Sequence, residues 1–466
     1  MFGRSMFFRL SRALPSILAW TCTTIAAPAN AAEDSPLSWV VLGVDGQAVA
    51  RTLTTSAACP VITIDGASLK MRVRAPAGTE PLRRTRSGSA LSKPSEFPVL
   101  TCEADLPLST RQASIGGHDL ALIRPQAQRI VVIGDTGCRL KAADNAWQAC
   151  NDPAAFPFAR IAAAAAAWKP DLVIHVGDYL YRENPCPEGS SGCAGSPWGY
   201  GWDAWNADFF APARPLLEAA PWVMIRGNHE NCDRGGQGWW RFLDPRRLEP
   251  GRDCNDPAND ALGDYQTAYK VPLGGGAQLV AMDIATSGEK PLAPEDARFG
   301  QLVALRNMLD IPGDADAFTI VAGHYPILGL AAHGKGDAGK IKGESAGVQS
   351  AFSNRGRPIL PASVDMILSG HVHLWEQVSF AGDYPSQFIA GFSGTQEDVG
   401  MLPKDLPTGT APLAGVNPAN FASWTKGFGW MSMERRGEGQ WEVEVHSAEG
   451  AIVQRCHVDH RVSRCE

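Results

Sequence analysis

Five times between residues 129 and 373, a short apolar run closes on a glycine and then on a residue with a ligating side chain. The runs 129–134, 172–177, 222–227, 319–323 and 366–370 lead into Asp135, Asp178, Asn228, His324 and His371. A sixth run, 279–283, has the same apolar character. Residues 154–168 and 297–309 read as helices between them, the first almost all alanine and suited to close packing on a sheet. Strands alternating with helices imply an α/β domain, and groups that bind or react gather beyond the strand ends of such sheets.

A single Gly-Asp after a strand is more often a turn than a ligand site. Five corners in one domain, all rich in Asp, Asn and His, are hard to reconcile with turns alone. Divalent and trivalent metals take carboxylate, amide-oxygen and imidazole ligands from several chain segments, which is what these corners offer. In Gly370-His371-Val372-His373, two histidines one residue apart point to the same side of an extended segment.

Everything before these corners divides in two. Arg4, Arg9 and Arg12 precede an apolar stretch from Leu14 to Ala27, and Ala29-Asn30-Ala31 offers a small-residue cleavage site. Residues 1–31 are therefore expected to be a secretory signal peptide. No later segment is long and apolar enough to span a bilayer. Short β-type runs such as 39–42 and 69–73, separated by Gly, Pro and Ser clusters, predict a smaller all-β, sandwich-like module over 32–125. The catalytic domain is then expected over 126–466, with surface loops at 184–201 and 403–420.

Setting aside residues 1–31, with three arginines and no acid, moves the net charge from −7 to −10. That balance disfavours nucleic-acid binding, which relies on clustered Lys and Arg. Of eleven cysteines, Cys22 falls in the leader. An even ten in an exported chain imply disulfides, paired by proximity as 59–102, 138–150, 186–193, 232–254 and 456–465.

The five blocks, in this order, resemble the calcineurin-like metallophosphoesterases, and within them the purple acid phosphatase branch, over about residues 129–376. Other members carry a histidine two residues after the first aspartate, where this chain has Gly137. The purple branch has Gly-Asp-x-x-Tyr instead, and Tyr181 stands at that tyrosine. The stretch 321–326 with His333 beyond it is similar to the small tartrate-resistant members. The resemblance implies a β-sandwich flanked by helices (α-β-β-α) and a binuclear centre. Asp135, Asp178, Tyr181 and His373 would hold Fe3+. Asp178, Asn228, His324 and His371 would hold a divalent ion (Fe2+, Zn2+ or Mn2+), with Asp178 shared.

The implied activity is acid phosphatase action on small phosphate monoesters by a metal-bound hydroxide, in a secreted or periplasmic protein. Phosphodiester hydrolysis on the same metals is the alternative, and a non-catalytic exported binding protein is the alternative of another class. His229 and His333 are the candidate catalytic histidines outside the ligand set, with Glu230 expected to orient His229. His175 reads as a core or supporting residue, and His118, His446, His457 and His460 as surface groups. Trp198, Trp202, Trp205, Trp239 and Trp240 read first as core.

Overall fold

The computed structural model describes residue 1 and residues 36–310, 317–333, 340–396 and 400–466. The expected signal peptide and its cleavage site fall outside the described residues. Pro36–Glu466 forms one compact unit.

Two mixed sheets carry the fold. In the first, Arg129–Ile133, Leu172–His175 and Trp222–Met224 run parallel, and Gly429–Gly437 joins Arg129–Ile133 antiparallel. In the second, Ala277–Ala281, Phe318–Ala322, Met366–Ser369 and Ser386–Ala390 are parallel. The alternation of side chains along each strand explains why the runs are apolar throughout. Ile130 and Val132 face the layer between the sheets, where they join Ile320 and Leu368, whereas Val131 and Ile133 face the helices outside. Helix Phe158–Ala167 buries Phe158, Ile161, Ala162 and Ala165, the i, i+3, i+4, i+7 stripe of a surface helix. On the other side, Ala297–Met308 and Ala346–Phe352 pack against Val321 and Ile367. The layers are α-β-β-α, as expected.

Within the expected N-terminal module, the described residues 36–125 are built from strands without an α-helix, and the longest of these strands continue the first sheet. Leu37–Leu42 pairs in parallel with Trp222–Met224, and Ala48–Thr54, Leu100–Leu106 and Arg72–Ala75 extend the sheet outward. The run 69–73 is split: Ala67–Lys70 belongs to a separate four-stranded sheet, and buried Met71 marks the crossing. Buried Arg51 and Arg74 share Glu103 and donate to the carbonyls of Phe242, Asp244 and Trp240, tying this segment to the loop beyond the Asn228 corner.

All five expected disulfides are present. Trp205, Trp239 and Trp240 are core, and Trp202 packs on the same cluster. Among the described residues, no helix is long and apolar enough to cross a membrane.

Candidate metal centre

The five corners meet at the carboxyl ends of the parallel strands of both sheets. Asp135 (φ 53°), Asp178 (φ 60°) and His371 (φ 71°) hold left-handed backbones, a strain characteristic of functional turns. Gly227 is obligatory, because a Cβ there would lie 2.1 Å from Asp178 Oδ1. Gly137 likewise has no room for a side chain, since a Cβ would meet the Tyr181 main-chain N at 2.8 Å. The tyrosine's own backbone thus occupies the space a histidine would need at 137.

Seven of the nine predicted site residues form two touching groups. Tyr181 Oη lies 2.9 Å from Asp135 Oδ1, 2.8 Å from Asp178 Oδ2 and 2.9 Å from His373 Nε2. Asn228 Oδ1 lies 3.0 Å from both His324 Nε2 and His371 Nδ1. Asp178 Oδ2 joins the groups, 3.2 Å from His324 Nε2.

The donor inventory tests whether cations fit. A carbonyl can only accept, so His324 Nδ1 donates to Val176 O at 2.9 Å and His373 Nδ1 to Gln396 O at 3.1 Å. Both rings thereby turn Nε2, the lone-pair nitrogen of the neutral form, toward the centre, the orientation metal-bound histidines need. One phenolic hydrogen cannot satisfy the three acceptors around Tyr181 Oη. Asp178, His324 and His371 also present ligand atoms within 4.8 Å of one another. The residues present fit a binuclear metal centre.

Charge points the same way. Burial, then Asp135 and Asp178, hold the Tyr181 phenol well above its ordinary range, so a phenolate here requires a strong positive charge beside it. Burial raises the Asp135 carboxyl. Burial disfavours a charged His324, but the Asp178 carboxylate outweighs it and lifts the ring to about 9.

His229 borders the cluster, with Nε2 3.8 Å from Asp178 Oδ2. Burial, then Arg234, lowers its pKa to about 4. Its ring is held by the Leu180 carbonyl at 3.0 Å and Glu183 Oε1 at 3.1 Å, and not by Glu230. Glu230 instead accepts from the main-chain N–H groups of Gly227, Asp178, Tyr179 and Leu180, binding two corners together. Sequence reasoning missed Glu183, whose only signal is its place two residues beyond Tyr181. It missed Arg234 as well, which lies against the His229 ring and pairs with Glu183.

His333 ends strand Leu330–His333, paired with Lys340, and its side chain lies outside the described atoms. His175 is buried, stacks on Tyr179 at 3.7 Å and meets Thr136 Oγ1 at 3.0 Å, which supports the Asp135 corner from below. His118, His457 and His460 are exposed. His446 is buried rather than superficial, because it stacks on Trp430 at 4.0 Å. The sixth run ends on Asp283, which grips Arg226 through two 3.0 Å bonds and props the Asn228 corner.

The calcineurin-like phosphoesterase family model matches residues 128–374. No curated protein sequence matches the chain significantly. Among solved structures, purple acid phosphatase PPD1 from yellow lupin (Lupinus luteus) seeds superposes with a TM-score of 0.53 at 14% identity, covering 93% of this chain and 74% of that one. The structure of PhoD superposes with a TM-score of 0.52 at 12% identity, covering 94% and 93%. At such identities these likenesses concern the fold.

Proposed function

Since the chain belongs to the calcineurin-like phosphoesterase family and is a metal-dependent phosphoric ester hydrolase, we infer that it is an exported acid phosphatase of the purple type, acting on phosphate monoesters. The observation that carries this reading is the Tyr181 hydroxyl held among Asp135, Asp178 and His373. A phenolate ligand suits a ferric ion, with Asp178, Asn228, His324 and His371 left for a divalent partner. When bound, the two cations supply Lewis acidity, an activated water and a clamp for in-line displacement at phosphorus.

The protein's own groups set the geometry. Glu230 fixes the Asp178 and Asn228 corners relative to each other through main-chain hydrogen bonds. Gln396 and Val176 hold the tautomers of His373 and His324. His229, held beside Asp178 by Leu180 and Glu183, is assigned to the phosphoryl or leaving-group oxygen. His333 is assigned a similar task from its spacing beyond His324. The five disulfides and the leader pattern at residues 1–31 support export.

Initial rates on a chromogenic phosphomonoester and the matching diester, at about pH 5 and about pH 7.5, test the reading. The monoester at the acid pH is expected to dominate. A dominant diester rate would replace monoesterase by diesterase, and no rate on either ester with both metals bound would sink the phosphatase reading.

The metal assignment has its own signature. The loaded enzyme should absorb visible light through phenolate-to-iron charge transfer, and Tyr181→Phe should abolish the band while elemental analysis still finds iron. A band that survives the substitution removes Tyr181 from the ligand set.

A further inference from the structure

Residues 202–217 form one continuous helical segment that passes through a π turn at Asn206–Phe210. Its inner face is apolar, with Trp205, Phe209, Phe210, Ala213 and Leu216 in the core. In the middle of that face stands Asp208, which is fully buried. A carboxylate in such a place is costly unless hydrogen bonds and an opposite charge occupy its oxygens.

Both oxygens are taken up by the loops that carry Asp135 and Tyr181. Oδ2 accepts the main-chain N–H of Tyr181 at 2.7 Å and that of Arg182 at 3.0 Å. Oδ1 accepts the main-chain N–H of Cys138 at 3.0 Å and Arg182 Nε at 2.6 Å. The loop beyond Asp135 is held from its other side as well, where Thr395 Oγ1 donates to the Gly137 carbonyl at 2.7 Å. Asp208 thus joins the Asp135 loop to the Tyr181 main chain, as Glu230 joins the Asp178 and Asn228 corners. Gly137 makes room for it, because a Cβ there would lie 2.8 Å from Asp208 Oδ2.

The consequence falls on the phenol. Tyr181 Oη stands 2.9 Å from both Asp135 Oδ1 and His373 Nε2, yet the ring is rooted at the amide that Asp208 holds. A tyrosine side chain is a long rigid lever, so a small movement of its main chain becomes a larger one at the oxygen. Arg182 neutralises the carboxylate through its side chain, and the amide contacts are made by Asp208 alone.

We propose that Asp208 is a positioning residue for the metal centre. By holding the Tyr181, Arg182 and Cys138 amides on one carboxylate, it sets where the phenolic oxygen stands against Asp135, and so governs retention of the ion that Tyr181 ligates. Asp208 acts through Tyr181 and touches no reacting atom. The proposal rests on the reading of Tyr181 as a phenolate ligand of iron.

Removing Asp208 alone would strand the buried Arg182 charge, whose side chain is 5% exposed. The test therefore compares the wild-type protein, Arg182→Gln, and the double variant Asp208→Asn/Arg182→Gln. Arg182→Gln breaks the ion pair and leaves the three amides on the carboxylate. The double variant leaves no charge unpaired, but in either orientation its carboxamide turns an NH2 group against at least one of those amides. Each protein is loaded with iron(III), and affinity is read by chelator competition beside the visible absorption band and the melting temperature of the metal-free protein. Arg182→Gln should keep the wild-type band and an affinity close to wild type. The double variant should bind iron about tenfold or more weakly than Arg182→Gln, the scale on which outer partners of metal ligands act, and its band should move. Equal affinities and equal bands in the two variants overturn the proposal. So does an iron affinity that only follows the melting temperature across the three proteins, since a group that merely stabilises the fold would give that result. An iron-loaded wild-type protein without a visible band overturns the Tyr181 reading, and the proposal with it.

Discussion

Asp178→Asn will lower turnover of a phosphate monoester by about a thousandfold or more, the scale of losing several kcal/mol of metal-derived transition-state stabilisation. Asp178 Oδ2 is the atom common to both halves of the centre, 2.8 Å from Tyr181 Oη and 3.2 Å from His324 Nε2. Its other oxygen accepts the His229 main-chain N–H at 2.8 Å. Asparagine keeps the volume, keeps an acceptor for His229 and tolerates the left-handed backbone at φ 60°. What it removes is the negative charge that the two cations would share. The fold should survive because asparagine keeps the hydrogen bonds of the corner, although it removes a carboxylate that His324 and His229 hold ionised against burial. Steady-state kinetics beside thermal melting separates the two effects. Turnover within tenfold of wild type would remove Asp178 from the shared position, whereas a collapse in melting temperature would make the activity loss uninformative about metal binding.

The ligand corners were legible in the sequence because each follows a strand buried on both faces, which reads as an unbroken apolar run before a glycine and a polar residue. Tyr181 and Gly137 could be read as an exchange, and the structure adds the steric reason, since the Tyr181 backbone occupies the space beside Gly137. The groups that support these corners were not legible. Glu183, Arg226 and Arg234 lie on loops where charged residues are ordinarily solvated, and only the fold shows them buried against one another and against Asp283. Glu230 was expected to orient His229 because it is next in the chain, but its carboxylate turns to four backbone donors. The register of the N-terminal strands was illegible for a related reason. Val41 pairs with Trp222 across most of two hundred residues, and no local pattern encodes such a partner.

Glu103→Ala will cost about 3–5 kcal/mol of stability, the range for breaking a buried ion pair by removing one member. Glu103 Oε2 accepts from Arg51 at 3.2 Å and Arg74 at 3.0 Å, and both arginine side chains are fully buried. Arg72 adds a third contact to Oε1 at 3.1 Å. Without the carboxylate, two guanidinium ions remain in the interior against carbonyls of the 240–246 loop, with Asp244 the remaining acid near both. Glu103→Gln keeps the shape and an acceptor but not the charge, and should fall between wild type and alanine. The pH dependence identifies the cause. Burial alone would raise the Glu103 carboxyl, but Arg51 and Arg74 outweigh it and hold the pKa below its ordinary value. A carboxylate depressed in the folded state contributes its stability above the unfolded pKa, about 4.3, and loses it as the pH falls through the folded value. The difference between wild type and Glu103→Gln, read from denaturant midpoints at equal m-values, should be full at neutral pH and narrow on the acid side. A difference that stays constant into acid would mean that Glu103 acts through packing and hydrogen bonding. In that case the charge of the network is incidental to how the N-terminal strands hold the loop beside the metal centre.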